Sequence, residues 1–284
     1  MQQKSTPTTL VGWVDRVTVS LKSRHYSPRT IAAYTTCVRI FLQWYRTKYI
    51  GQNLQNLTRD HVIQFVVQLH DEGKAAKTVN LYKEAIKYLA REILNKPEVA
   101  EIKLSREPKR LPVVLTKAEV EALFAATENP KHRLLLMVAY AAGLRISEVR
   151  ALRVQDVDLM ECLVTVRCGK GRKDRLTVLS PKILGELQQM CAYKQPKDVV
   201  FASERGGALH VRTLGEIFQQ AKKKAGITKP ATFHSLRHSF ATHLIEQGTD
   251  IRHIQALLGH ANIRTTQGYT HVTRPQVRKI VSPL

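Results

Sequence analysis

LVTVRCGKGRKDRLTVL, residues 163–179, is a strand-like passage in a chain otherwise patterned for helices. Leu163–Val166 and Leu176–Leu179 alternate on either side of Gly169-Lys170-Gly171, and apolar alternation around a glycine-containing turn reads as a β-hairpin. Lys170 stands at its tip, where a long cation can reach outward, and Arg172, Lys173 and Arg175 continue the basic run as candidate DNA contacts. Upstream, Thr116 and Glu119 match a capping box that opens a helix near 117–127, followed by one near 131–142. Downstream, helical spacing resumes near 182–193, 212–225, 234–247 and 250–258. Residues 113–284 therefore read as an α+β domain with a small antiparallel β-sheet.

The first 95 residues read as a separate domain of four helices. Ser27-Pro28 opens one of them, with Ile31, Tyr34, Val38, Phe41, Leu42 and Tyr45 recurring on a single face. Thr58 caps another that stops at Gly73. The next carries Val79, Tyr82, Ile86, Leu89 and Ile93 on one face and Lys77, Asn80, Lys83, Lys87 and Arg91 on the other. That second face is either solvated surface or a track for phosphates, which makes Lys77, Lys83 and Lys87, with Arg29, candidate DNA contacts. Residues 96–112 hold three prolines and many charges without periodicity, and read as an interdomain linker. The chain is thus expected to be mainly α, with two domains.

Lys and Arg outnumber Asp and Glu by 45 to 23, a formal net charge of +22 over 284 residues, and the basic residues are spread from end to end. Such a charge favours a polyanionic partner, foremost nucleic acid. A hydrophobic content of 43% argues against disorder. No apolar run approaches the length of a membrane span, and the N-terminus lacks an apolar signal core, so no membrane association is expected. Cys37, Cys162, Cys168 and Cys191 have no CxxC spacing and read as reduced intracellular thiols.

Familiar catalytic motifs fail in turn. HSLRH at 234–238 has an i, i+4 histidine pair but lacks the glutamate of a zinc helix. CGKGRKDR lacks the upstream glycine and the Ser/Thr of a phosphate-binding loop. What remains is a set of cationic and imidazole groups at element ends. Arg145 falls between Gly143, which ends one helix, and Ser147, which is expected to cap the next. His234 and Arg237 share a helix face, His260 follows the helix terminator Gly259, and Tyr269 comes nine residues after it. Each taken singly has an ordinary structural explanation.

As an ordered set they resemble the tyrosine recombinases, the family of phage integrases and Xer-type resolvases. The likeness rests on GLRISE for Arg145, GKGRKDR for Lys170, HSLRHSFATHL for His234 and Arg237, LLGH for His260 and TTQGYTHV for Tyr269, and it spans about residues 10–272. It implies an N-terminal SAM-like core-binding domain and a C-terminal catalytic domain. It implies that the Tyr269 phenolate attacks a DNA phosphodiester, leaving a 3′-phosphotyrosyl bond and a free 5′-hydroxyl. His234 would be the base, Arg145 and Arg237 would hold the non-bridging oxygens, Lys170 would protonate the leaving oxygen, and His260 would donate to the phosphate. No metal or other cofactor is implied. The partner would be a double-stranded DNA site, gripped between both domains by a homotetramer that exchanges strands through a four-way junction. A second recombinase or accessory factors stay open, and the location implied is the cytoplasm, on the nucleoid. Gly268, where relatives often carry a larger residue, is expected to loosen the backbone beside Tyr269 until DNA or a neighbouring subunit orders it. Three readings compete with this one: a non-catalytic helix-turn-helix protein built on 234–258, a type IB topoisomerase-like relaxing enzyme, and a metal-dependent hydrolase.

Overall fold

The computed structural model of the chain describes residues 9–105, 111–167, 174–259 and 266–267, which divide between two compact units, Met1–Lys109 and Arg110–Leu284. Lys170, Arg172, Lys173, His260, Gly268 and Tyr269 lie outside the described residues.

The N-terminal unit holds α1 (Leu10–Ser23), α2 (Pro28–Lys48), α3 (Arg59–Asp71) and α4 (Ala76–Tyr88), the last continued by a π turn at Leu89–Ile93. α2 begins where Ser27 accepts the Thr30 amide and Pro28 occupies the first turn, which needs no amide donor. Its Val38, Phe41, Leu42 and Tyr45 are buried, with Phe41 edge-on to Phe65 of α3 at 5.1 Å. A side chain of this size contributes about 1.5–3 kcal/mol when fully buried.

Two expectations need correction here. Residues 97–105 belong to the N-terminal unit rather than to a linker: Pro97–Ala100 forms a 3-10 turn, and Val99, Ala100 and Ile102 are buried in the N-terminal core. Asn80 clasps Ser105 from both sides, donating to its carbonyl at 3.0 Å and accepting its amide at 2.7 Å. Lys83 is correspondingly no phosphate contact. It is 5% exposed, and its ammonium donates to the Lys103 carbonyl at 3.1 Å and to Ser105 Oγ at 2.9 Å. Burial, then the charge of Lys87, pushes the Lys83 amine below its ordinary value. The physical reason is that 103–105 return across α4, and their buried polar groups require partners. Arg29 and Lys77 remain exposed, and Lys87 pairs with Glu84 at 3.0 Å.

The second unit runs α5 (Lys117–Ala125), α6 (Pro130–Ala141), α7 (Ile146–Ala151), β1 (Val157–Asp158), β2 (Leu163–Val166), β3 (Arg175–Val178), α8 (Leu184–Cys191), α9 (Val211–Lys224), α10 (Phe233–Glu246) and α11 (Ile251–Leu258). The Thr116–Glu119 capping box is present, with bonds of 2.7 and 3.1 Å. β2 and β3 pair antiparallel with Leu163 opposite Val178 and Val166 opposite Arg175, so they form the two arms of the hairpin. β1 adds a third antiparallel strand, too short at two residues to show alternation in the sequence. Val164 and Val166 point into a core shared with α5, α6 and α9. No described helix is long and apolar enough to cross a membrane.

The start of α3 yields a pH prediction. His61 Nδ1 accepts the Thr58 amide at 3.1 Å, while the His61 amide reaches Thr58 Oγ1 at 3.4 Å. Only an unprotonated Nδ1 can accept, and burial, partly offset by the charge of Asp60, pushes His61 below its ordinary value. A folded-state value below the unfolded one means that this contribution is complete above about pH 6.5 and is lost as pH falls through the lower, folded value. Both tryptophans, Trp13 and Trp44, lie in this unit, so their fluorescence follows its unfolding. Denaturant titrations between pH 7.5 and 5 should show declining stability, and His61→Gln, which keeps an acceptor, should shrink that slope.

Candidate active site

Three arginines from different elements converge on Glu148 of α7. α6 ends at Ala141, and the chain turns at Gly143 with φ +60°, where a Cβ would lie 2.4 Å from Phe240 of α10. That turn delivers Arg145 to the N-cap of α7 in extended conformation (φ −73°, ψ 154°), so Arg145 rather than Ser147 holds the cap position. Glu148, three residues on, folds back: Oε2 accepts the Arg145 amide at 2.8 Å and Oε1 accepts Arg145 Nη1 at 2.7 Å.

Arg175 of β3 grips the same carboxylate with both terminal nitrogens, at 2.9 and 2.7 Å. Its Nε donates to the Leu257 carbonyl at 2.8 Å. This corrects the reading of Arg175 as a DNA contact, because its side chain is only 7% exposed. Arg237 of α10 is fully buried, lies 3.7 Å from Glu148 Oε2, and donates to the carbonyls of Gly143 at 2.8 Å and Leu258 at 2.5 Å. Two arginines thereby satisfy the last carbonyls of α11, groups that have no partner within a helix and that favour cations. Gly259 caps α11 in the left-handed region (φ +62°), and a Cβ there would meet Arg175 Cδ at 2.7 Å. Burial alone would raise the Glu148 carboxyl. The bonds from Arg175 and the Arg145 amide, with the charges of both arginines, outweigh it and bring the group down to about 2.

His234 opens the first turn of α10 and is exposed. Desolvation by its surroundings, then the charges of Arg237 and Arg145, pushes it below its ordinary value against a smaller opposing pull from Glu148. The His238 ring stands at 90° to it with centroids 4.7 Å apart, and burial, His234 and Arg237 push His238 down to about 4. Ser239, on the same helix, accepts the Leu115 amide at 2.8 Å and so ties the start of the unit to α10.

The structure thus brings Arg145, His234 and Arg237 into one electrostatic neighbourhood. Lys170, His260, Tyr269, Arg172 and Lys173 fall outside the described residues, although β2 and β3 border residues 168–173 and α11 ends two residues before His260. Sequence reasoning missed Glu148, the inward role of Arg175, and His238. The available signal for Glu148 was its position three residues after Arg145 at a helix start, which is the acceptor position of a capping box.

Residues 113–275 match the phage integrase family, and residues 13–98 match the phage integrase N-terminal SAM-like domain. The chain is 35% identical to the tyrosine recombinase XerA of Pyrococcus horikoshii, over 90% of this chain and 87% of that protein. It is 33% identical to the tyrosine recombinase XerD of Halalkalibacterium halodurans, over 90% and 91%. Among solved structures, a lambda integrase tetramer bound to a Holliday junction shares the fold with a TM-score of 0.72 at 22% identity, covering 90% of this chain and 78% of that one.

Removing the charge at the centre of the array tests its role. Glu148→Gln should lower the stability of the catalytic unit by about 3 kcal/mol, the cost of leaving buried cations without their partner. Calorimetry on the full chain reads this. Because the folded value of about 2 lies below the unfolded one, the carboxylate contributes fully above about pH 4.3 and loses that contribution as pH falls toward 2. The variant should flatten the stability curve across that window.

Proposed function

This chain belongs to the phage integrase family, and we propose that it is a site-specific recombinase that cleaves and rejoins double-stranded DNA through a 3′-phosphotyrosyl link to Tyr269. The observation that carries this reading is the pre-assembled cationic array around Glu148 with an accessible, low-pKa His234 beside it.

A free tyrosine titrates near 10, so its attack at neutral pH needs a base and a cationic setting. In the proposed step the Tyr269 oxygen bonds to phosphorus and the bond from phosphorus to the 5′-oxygen breaks. The phenolic proton passes to His234, and the departing 5′-oxygen takes a proton from Lys170. Arg145, with its side chain 26% exposed, can turn its free N–H groups toward the non-bridging oxygens while Nη1 stays on Glu148. Arg237 supplies positive charge from behind, and His260 donates to the phosphate. The phosphotyrosyl bond retains the energy of the phosphodiester, so a partner strand's 5′-hydroxyl reverses the attack without ATP or a metal ion. Two duplexes must be joined, which calls for a homotetramer on DNA passing through a four-way junction. Arg29, Lys77 and Lys87 in the first unit, and Arg172 and Lys173 in the second, are the proposed backbone contacts, and the setting is the cytoplasm, on the nucleoid.

The recombination site is recovered by sequencing DNA trapped covalently on the protein. On a nicked duplex carrying that site, the chain should form an SDS-resistant adduct that Tyr269→Phe abolishes. Arg145→Ala should slow adduct formation about 100-fold or more, as for loss of an oxyanion donor. The depressed value of His234 keeps it neutral to lower pH, so the acidic limb of the rate profile should lie below about 6.5, and a limb at or above that value would remove His234 as the base.

A further inference from the structure

A cavity of about 730 Å³ opens beside Arg145, between α7, residues 152–156, β2 and the segment around 199–208. Arg145 lines it, and His234 and Arg237 do not. Arg145, Arg150, Arg153 and Arg167 contribute to its walls, against the carboxylates of Glu148 and Asp156. Both carboxylates are already engaged. Glu148 holds the arginine array, and Asp156, 5% exposed, accepts Arg167 Nε at 2.5 Å and the Arg153 amide at 3.2 Å. Arg150 is fixed through Nε, which donates to the Leu209 carbonyl at 2.9 Å. The guanidinium of Arg153 is exposed and has no ion pair or hydrogen bond among the described residues.

We propose that this groove is a second phosphate subsite, in which Arg153, supported by Arg150 and Arg167, holds a backbone phosphate adjoining the scissile one. The argument is chemical and positional. Planar forks in excess over free carboxylates select a phosphodiester oxygen, which accepts two parallel N–H bonds. Arg145 borders the groove and also faces the reacting phosphate, so the anion that reaches both places is a neighbouring phosphate of the same DNA strand. Thr165 lies on β2 and Arg167 just beyond it, so the groove follows the end of that strand. Held at two phosphates, the strand is fixed in register against the active site, a positioning contact that carries no base information.

The inference rests on the recombinase reading, and the test separates the two. The probe is a mixed-sequence DNA duplex, bound by the full chain over a series of salt concentrations. Arg153→Ala should weaken binding about fivefold at physiological salt and reduce the slope of log affinity against log salt by about 0.9, the value for one phosphate contact. Arg153→Lys should restore the slope more fully than the affinity, because it returns the charge without the fork. An unchanged salt slope in Arg153→Ala, with or without lost affinity, overturns the subsite while leaving the recombinase reading standing. Absence of any Tyr269-dependent adduct in the wild-type chain overturns the recombinase reading itself.

Discussion

Guanidinium groups cannot be crowded into a protein interior without a counter-charge. At the low effective dielectric of a buried site, like charges a few ångströms apart repel by several kcal/mol. Arg175 is 7% exposed and Arg237 not at all, and both approach the same few atoms as Arg145. Glu148 makes that possible by supplying a negative charge and the acceptors for two of the three forks. α7, β3 and α10 each bring a charge to that single carboxylate, alongside the apolar core that α7 and α10 share. The last carbonyls of α11 are held by Arg175 and Arg237.

The same arrangement explains how a base can work among cations. Positive charge close to an imidazole disfavours its protonated form. Desolvation is the larger influence on His234, and Arg237 and Arg145 add to it in this way. The groups that would stabilise charge on a phosphate therefore also keep the neighbouring imidazole neutral, ready to receive a proton. His238, at right angles to His234 and held near 4, adds no competing charge at neutral pH.

The helices and the paired strands were legible because they rest on local rules, periodicity and capping, whereas the Arg145–His234–Arg237 set was expected from the resemblance to the tyrosine recombinases. What was hidden depends on tertiary packing. Arg175 sits in the run RKDR and looks like surface, yet on β3 the apolar residues Leu176 and Val178 face outward at 57% and 38% exposure. Arg175 and Thr177 face inward instead, and Thr177 is fully buried with Oγ1 donating to the Ala142 carbonyl at 2.9 Å. The usual rule that apolar residues mark the buried face is reversed there, and no pattern in the strand announces it. Lys83 was obscured in a related way. Its face of α4 is polar because returning backbone needs donors, a demand set by residues 20 to 25 positions later in the chain.

The buried arginines of the array are held by the fold on several sides. Arg237 is bonded to backbone carbonyls at the ends of α6 and α11, and Arg175 to Leu257 as well as Glu148. These are contacts to the chain's own backbone and to one carboxylate, supplied by the fold itself. An equilibrium shifts only by the difference in a ligand's interactions with its two states. In the proposed mechanism a phosphate that meets Arg145 would therefore shift the protein's states only by what it adds to contacts that Glu148 already makes.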